Sequence, residues 1–227
     1  MSEDVTEVSD GGMRLFLDSA DAAAHERWLA TGMFHGITTN PTILRRAGLP
    51  SEIGAIRDLA GAAFQRGARE VQAQVWGGTV EAYRDTGEAI AGIDPRMVVK
   101  LPATEAGLAA ARHLIGSGAR VTITAVYAPH QALAAAAIGA HYVAPYLGRM
   151  GDAGLDAKAA IEAMLGVAGP MRVLVASIRS AADVSALVAQ GCDTLTFGEG
   201  VAEEMVADPL ALAATDVFEA HARGEDG

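Results

Sequence analysis

Lys100 closes a β-rich run, Met97–Lys100 (MVVK), and is followed by Leu101-Pro102, a proline that ends the strand. A lysine pointing inward from such a run loses hydration, which disfavours its ammonium form and lowers its pKa. The neutral amine is a nucleophile for a carbonyl carbon and forms an imine with it. The alternative is a lysine that snorkels at the strand end or pairs with Asp18. Its company favours the chemistry. Asp18 closes Leu15–Asp18, Thr38 and Asn40 lie in Thr38-Thr39-Asn40-Pro41, and Gln74 lies in Val71–Val75. Thr122 and Thr124 belong to Val121–Ala125, Tyr146 and Arg149 follow Tyr142–Pro145, and Ser177 and Arg179 follow Val173–Ala176. Asp18 could instead cap the next helix, although Ser19 or Asp21 can serve there, and Asn40 before Pro41 could initiate a turn. Arg149 and Arg179, with Ser177, have the forks that match phosphate or carboxylate oxygens.

Metal chemistry finds little support. The histidines are His25, His35, His113, His130, His141 and His221; no two share ligand spacing on one element, and Cys192 has no partner. His130 at a helix start could reach a pocket mouth, whereas His141 opens a strand at the opposite end. A serine-hydrolase elbow motif is absent as well. No metal and no cofactor are expected.

The elements that must position these groups are short and regular. Eight β-rich runs follow in order: 15–18, 36–39, 71–75, 97–100, 121–125, 142–145, 173–176 and Thr194–Phe197. Stretches with helical spacing, such as Ala22 to Leu29 and Gln131 to Ile138, separate them. Each gap is long enough for a parallel crossover. The pattern predicts an α/β fold, a single-domain (β/α)₈ TIM barrel, whose chemistry sits at the C-terminal ends of the strands. An open doubly wound sheet is the alternative, but no Gly-x-Gly-x-x-Gly follows the first run.

The 227 residues fit one domain, and 51% of them are hydrophobic. We read 1–12, with Glu3, Asp4, Glu7 and Asp10, as a disordered acidic tail, 13–222 as the barrel and 223–227 as a frayed end. A net charge of −11 with no basic run makes nucleic acid an unfavourable partner. The lone Cys192, the lack of a signal peptide and the lack of a spanning apolar run predict a cytoplasmic protein without a membrane partner.

Taken together, these segments resemble the transaldolase family, and in detail its short, fructose-6-phosphate aldolase branch. The resemblance runs from about Met13 to about Pro209 and rests on LFLDS (15–19), GITTNP (36–41), VVKLP (98–102) with Thr104-Glu105-Ala106-Gly107-Leu108, TAVY (124–127), AHYVAPY (140–146) with Arg149, and VASI (175–178). It implies a class I mechanism with the imine on Lys100, a three-carbon enamine, and no cofactor. It also implies that Asp18 positions or exchanges protons with a substrate hydroxyl, that Asn40 and Thr38 hold hydroxyls, and that Thr124 with Gln74 holds the water of proton transfer. Arg149, Ser177 and Arg179 would take the phosphate of a sugar phosphate, and the chain would be a homo-oligomer.

Gln74 and Ala144-Pro145-Tyr146 match the aldolase branch, where typical transaldolases carry glutamate and Ser-Pro-Phe. A phenol there can share the proton of the catalytic water, so Tyr146 takes the acid/base part. Gly148 is the transaldolase-like choice, and Thr42 stands where serine is commoner. Phe197-Gly198-Glu199-Gly200 replaces the usual Leu-Pro or Val-Pro and sets a carboxylate near the mouth; the two glycines could open an anion-binding helix start, which Glu199 would oppose. The segment after Pro209 matches weakly. A Schiff-base aldolase acting on a ketose phosphate is the leading reading, with hydroxyketone donors and aldehyde acceptors. A transaldolase moving a dihydroxyacetone unit is the second, and a barrel that only binds a sugar phosphate the third.

Overall fold

The computed structural model describes residues 12–225. The acidic segment read at 1–12 therefore lies, except for Gly12, outside the described residues, as do the last two residues of the predicted frayed end. Eight parallel strands close into a barrel in sequence order. They are β1 (Arg14–Asp18), β2 (Gly36–Thr38), β3 (Glu70–Gln74), β4 (Met97–Pro102), β5 (Val121–Val126), β6 (Tyr142–Pro145), β7 (Arg172–Ile178) and β8 (Thr194–Phe197). The crossovers carry α1 (Ala22–Leu29), α2 (Pro41–Arg46), α3 (Ile53–Gln65), α4 (Val80–Ala91), α5 (Glu105–Gly116), α6 (Pro129–Ala137), α7 (Leu147–Asp152), α8 (Ala157–Val167) and α9 (Ala181–Ala189). Then α10 (Glu199–Val206) and α11 (Pro209–Ala222) end the chain. The expected (β/α)₈ barrel is the fold.

Successive side chains of a strand point to opposite faces, and this parity sorts the sequence. One set, including Leu17, Ile37, Val71, Val99, Ile123, Val143 and Leu195, joins the helices in the outer core. The other set faces the barrel axis, where Phe16, Val98, Tyr142, Ala144 and Leu174 form a separate apolar plug. Lys100 shares parity with Val98, and Asp18 with Phe16, so the site is built on top of this plug. β4 does not stop at Lys100 as expected but pairs on through Pro102, which lies opposite Thr124. Pro102 needs no strand hydrogen bond from its own nitrogen, and its carbonyl still supports Thr104.

Helix starts are fixed by side chains. Asp21 accepts from the Ala24 N–H at 2.9 Å and caps α1, which settles the alternatives weighed for Asp18. Asn40, Thr79, Thr104, Asp156, Ser180 and Asp208 cap six further helices in the same way. β2 carries Gly36 because a Cβ there would meet the Glu70 carbonyl oxygen at 1.9 Å. Among the described residues no helix is long and apolar enough to cross a membrane.

Candidate active site at the barrel mouth

A cavity of about 290 Å³ opens at the C-terminal ends of the strands and is lined by Asp18, Asn40, Lys100, Tyr146, Arg149, Ser177 and Arg179, with Thr42, Ile43, Arg46 and Ala176. Seven of the ten residues singled out from sequence thus converge on one space. The other three stand directly behind it. Thr38 donates to Asp18 Oδ1 at 2.6 Å and contacts Thr196 Oγ1 at 2.6 Å, so its hydroxyl orients the carboxylate from beneath. Thr124 Oγ1 lies 3.0 Å from the Tyr146 hydroxyl. Gln74 ends β3 as the register partner of Lys100.

Lys100 is 3% exposed, with Gln74 and Thr122 flanking it on neighbouring strands. Among the described residues no hydrogen bond or ion pair engages its Nζ, and Nζ is not among the sealed polar atoms, which are Trp28 Nε1 and Thr39 Oγ1. The stem is therefore packed while the amine alone reaches the cavity. Asp18 does not take it as a salt-bridge partner, because Thr38 turns that carboxylate towards β2. Asn40 caps α2 rather than opening a turn, and its side chain lines the cavity. Its Oδ1 accepts from the N–H groups of Thr42 and Ile43 at 2.9 and 3.1 Å, which leaves the Nδ2 donor for the cavity.

Two departures from regular strand geometry re-aim the upper rim. The ladder shifts register between Thr124 and Val126 and again between Val175 and Ile178. Within these irregularities Ala125 and Ser177 adopt φ of 56° and 58°, left-handed conformations that cost a non-glycine residue about 1–2 kcal/mol. Such strain persists where the surrounding structure over-determines it, commonly at functional sites. Here it turns Ser177 into the cavity beside Tyr146, whose backbone bridges Ala176.

The two arginines of the expected clamp are not equivalent. Arg179 forks onto Asp152 at 2.7 and 2.5 Å, and this guanidinium holds the Asp152 carboxyl below the usual carboxylate range. Arg149 makes no ion pair among the described residues; its guanidinium lies 4.9 Å from the Tyr146 ring centroid. Gly148 explains how α7 comes so near β7. A Cβ there would sit 2.6 Å from both the Ser177 carbonyl oxygen and Arg179 Nε. Tyr127 packs edge-on against Tyr146 at 5.8 Å and fixes its ring.

Sequence reasoning missed Arg46, Thr196 and Tyr127. Arg46 lies at the end of α2, away from the strand ends that carry most of the site. Glu199 was expected near the mouth, and it opens α10 two residues beyond the end of β8. Its carboxylate, however, accepts from Ser19 Oγ at 3.3 Å and does not line the cavity. Among the described residues no three His, Cys, Asp or Glu side chains are placed to share a cation.

The sequence compares with known proteins over nearly its whole length. The family model described as transaldolase/fructose-6-phosphate aldolase matches residues 15–225. A probable transaldolase of Thermus thermophilus is 34% identical over 207 residues, covering 87% of this chain and 92% of the relative. One of a Caulobacter species is 33% identical over 212 residues, covering 91% and 94%, and one of Kosmotoga olearia is 33% identical over 202 residues, covering 87% and 90%. With a family model matched over 15–225 and relatives above 30% identity along most of both chains, the chain belongs to the transaldolase/fructose-6-phosphate aldolase family.

Proposed function

We propose that the chain is a class I aldolase that makes and breaks a carbon–carbon bond in a ketose phosphate through an imine on Lys100. The observation that carries this reading is the state of that side chain: buried, without a partner at Nζ among the described residues, and lining a cavity of carboxylate, hydroxyl, amide and guanidinium groups.

The neutral amine adds to the ketose carbonyl carbon, and loss of water gives the iminium. Its positive nitrogen draws in the electron pair released when the adjacent carbon–carbon bond breaks, while a base takes the proton of the neighbouring hydroxyl. Asp18, held by Thr38, is placed for that proton, and the Asn40 amide for a second hydroxyl. Cleavage frees an aldehyde and leaves a three-carbon enamine. Tyr146, steadied by Thr124 and Tyr127, protonates the enamine carbon through a water, and hydrolysis then restores the lysine. Gln74 shares the upper layer with Lys100 and helps to hold that water. Arg149 and Ser177 take the phosphate. Arg179, committed to Asp152, buttresses the clamp from the rim.

Transfer of the three-carbon unit to a second aldehyde is the second reading. The relatives reported above are named probable transaldolases, and Gly148 is favoured by both the transaldolase pattern and the packing of α7. One assay separates the two. An aldolase condenses free dihydroxyacetone with glyceraldehyde 3-phosphate to fructose 6-phosphate. Failure of that condensation, with activity on sedoheptulose 7-phosphate plus glyceraldehyde 3-phosphate, assigns the transferase.

A homo-oligomer goes with this reading, since α11 buries none of its residues and leaves Leu210 82% and Phe218 68% exposed. A cytoplasmic location goes with it too, because sugar phosphates are charged metabolites retained inside the cell.

A further inference from the structure

Arg46 carries a charge at the mouth that the steps of bond cleavage leave unused. It stands at the end of α2, and with Thr42 and Ile43 it lines the cavity. Residues three and four apart share one face of a helix, so these side chains form a single surface of α2 turned to the mouth. That face is held in place. Asn40 caps the helix and the buried Leu44 anchors it. Gly48, at φ 73°, ends it and lets the Leu49 N–H donate back to the Leu44 carbonyl. A basic residue in the last turn also complements the helix dipole, but Arg45 supplies that charge and does not line the cavity.

Among the described residues Arg46 makes no hydrogen bond and no ion pair. The guanidinium groups of the mouth therefore divide unevenly. Arg179 is committed to Asp152, whereas Arg46 and Arg149 are open, the latter resting 4.9 Å from the Tyr146 ring centroid. Two carboxylates oppose them. Asp18 lies in the cavity, turned towards Thr38, and Asp152 feels the charge of Arg149 besides its fork to Arg179. Topology sets the two open groups apart. The strands close in sequence order, so β2 and β6 stand opposite each other across the barrel, with β4 midway. Arg46 belongs to the helix after β2, Arg149 to the helix after β6, and Lys100 to β4. A carbonyl held at Lys100 thus lies between guanidinium groups on opposite walls.

We infer that Arg46 is a substrate-binding residue that selects open-chain sugars with a phosphate at both ends over those with one. A single phosphate meets one wall of the mouth; an extended chain with an anionic group at each end meets both. This specificity deepens the reading of Lys100 and Arg149 given above and rests on it.

Mannitol 1-phosphate and mannitol 1,6-bisphosphate are open chains without a carbonyl, so their binding does not depend on the imine. Titration calorimetry on the full chain should give the bisphosphate a Kd about tenfold or more below that of the monophosphate, the gain from one further charge-assisted pair. Arg46→Gln should cut that ratio to about twofold, the statistical advantage of two equivalent ends when only one is held. Arg46 is exposed, so the variant keeps its fold, and Arg46→Lys, which keeps the charge without the fork, should retain part of the gain. Affinities in the native chain that differ by no more than the statistical factor overturn the inference. So does a gain that Arg46→Gln leaves intact, which places the second phosphate on another group such as Arg179. Absence of saturable binding for both ligands overturns it together with the phosphate role of Arg149, while the imine is judged separately by borohydride labelling of Lys100.

Discussion

The two ends of the barrel are made from the same inward-facing strand positions and finished in opposite ways. At the floor, charged groups are matched: Glu70 gathers Arg120, Tyr142 and Gln72, and Gln72 in turn receives Thr122 Oγ1 at 2.7 Å. At the mouth, the central Lys100 amine has no partner among the described residues, and the neighbouring carboxylate is turned aside by Thr38. A buried ionic group that is fully satisfied adds rigidity, while one left unsatisfied is expensive and is kept for chemistry. The comparison teaches that burial alone does not mark a reactive lysine. Burial without a partner does.

The largest effect should come from removing the amine at the mouth. Lys100→Met keeps the packed stem and deletes the nucleophile, so turnover should fall by at least about 10⁴-fold with the unfolding midpoint little changed. Steady-state kinetics with urea titration check this, and an unfolded variant would make Lys100 structural. Next, Tyr146→Phe should slow enamine protonation, and with it turnover to free ketone, by about 10²- to 10³-fold, the range of general acid–base assistance. Adding Gln74→Glu should restore turnover in the transfer direction, measured as the ratio of transferred to released three-carbon product.

The floor should respond in stability rather than rate. Glu70→Gln strands buried guanidinium and phenol groups and should destabilise the barrel by about 3 kcal/mol in urea, with kcat changing only a few-fold. A larger loss of kcat than of stability would erase the contrast between the ends. Smaller still, Arg149→Gln should raise KM for phosphorylated aldehydes by about tenfold and leave unphosphorylated ones unaffected. Arg179→Gln should do less, because its fork already serves Asp152.

The smallest effect follows from His35, whose folded pKa, held down to about 4 by burial, lies below the 6.5 of a free imidazole. The unfolded chain takes up this proton first, so stability is complete above pH 6.5 and declines as pH falls towards 4. The loss is of order 1 kcal/mol after solvent screening of a partly exposed ring. His35→Gln should flatten that slope in pH-dependent unfolding.

The barrel and the mouth were legible because strand period and strand ends are local signals. Lys100, Asp18, Asn40 and Tyr146 each follow a run that announces its own end. The layering behind them was less visible. Thr38 reads as a substrate contact from its position, but its parity partner Thr196 sits on a strand 158 residues away, so the hydroxyl pair appears only once the barrel closes. Starting the third strand at Val71 hid Glu70, although Glu70, Gln72 and Gln74 share one parity and are the sequence's own trace of the floor-to-mouth column. Arg46 was hidden for another reason: it reaches the site from a six-residue helix too short to carry a periodic signal. The inequality of Arg149 and Arg179 depends on Asp152, which no spacing rule ties to either.

The most direct measurement is reduction with borohydride during turnover in dihydroxyacetone, followed by peptide mass spectrometry. A three-carbon adduct on Lys100, absent without substrate and absent in Lys100→Met, is the expected result. An active enzyme that yields no adduct, or one labelled on Lys158 instead, would contradict an imine at the end of β4.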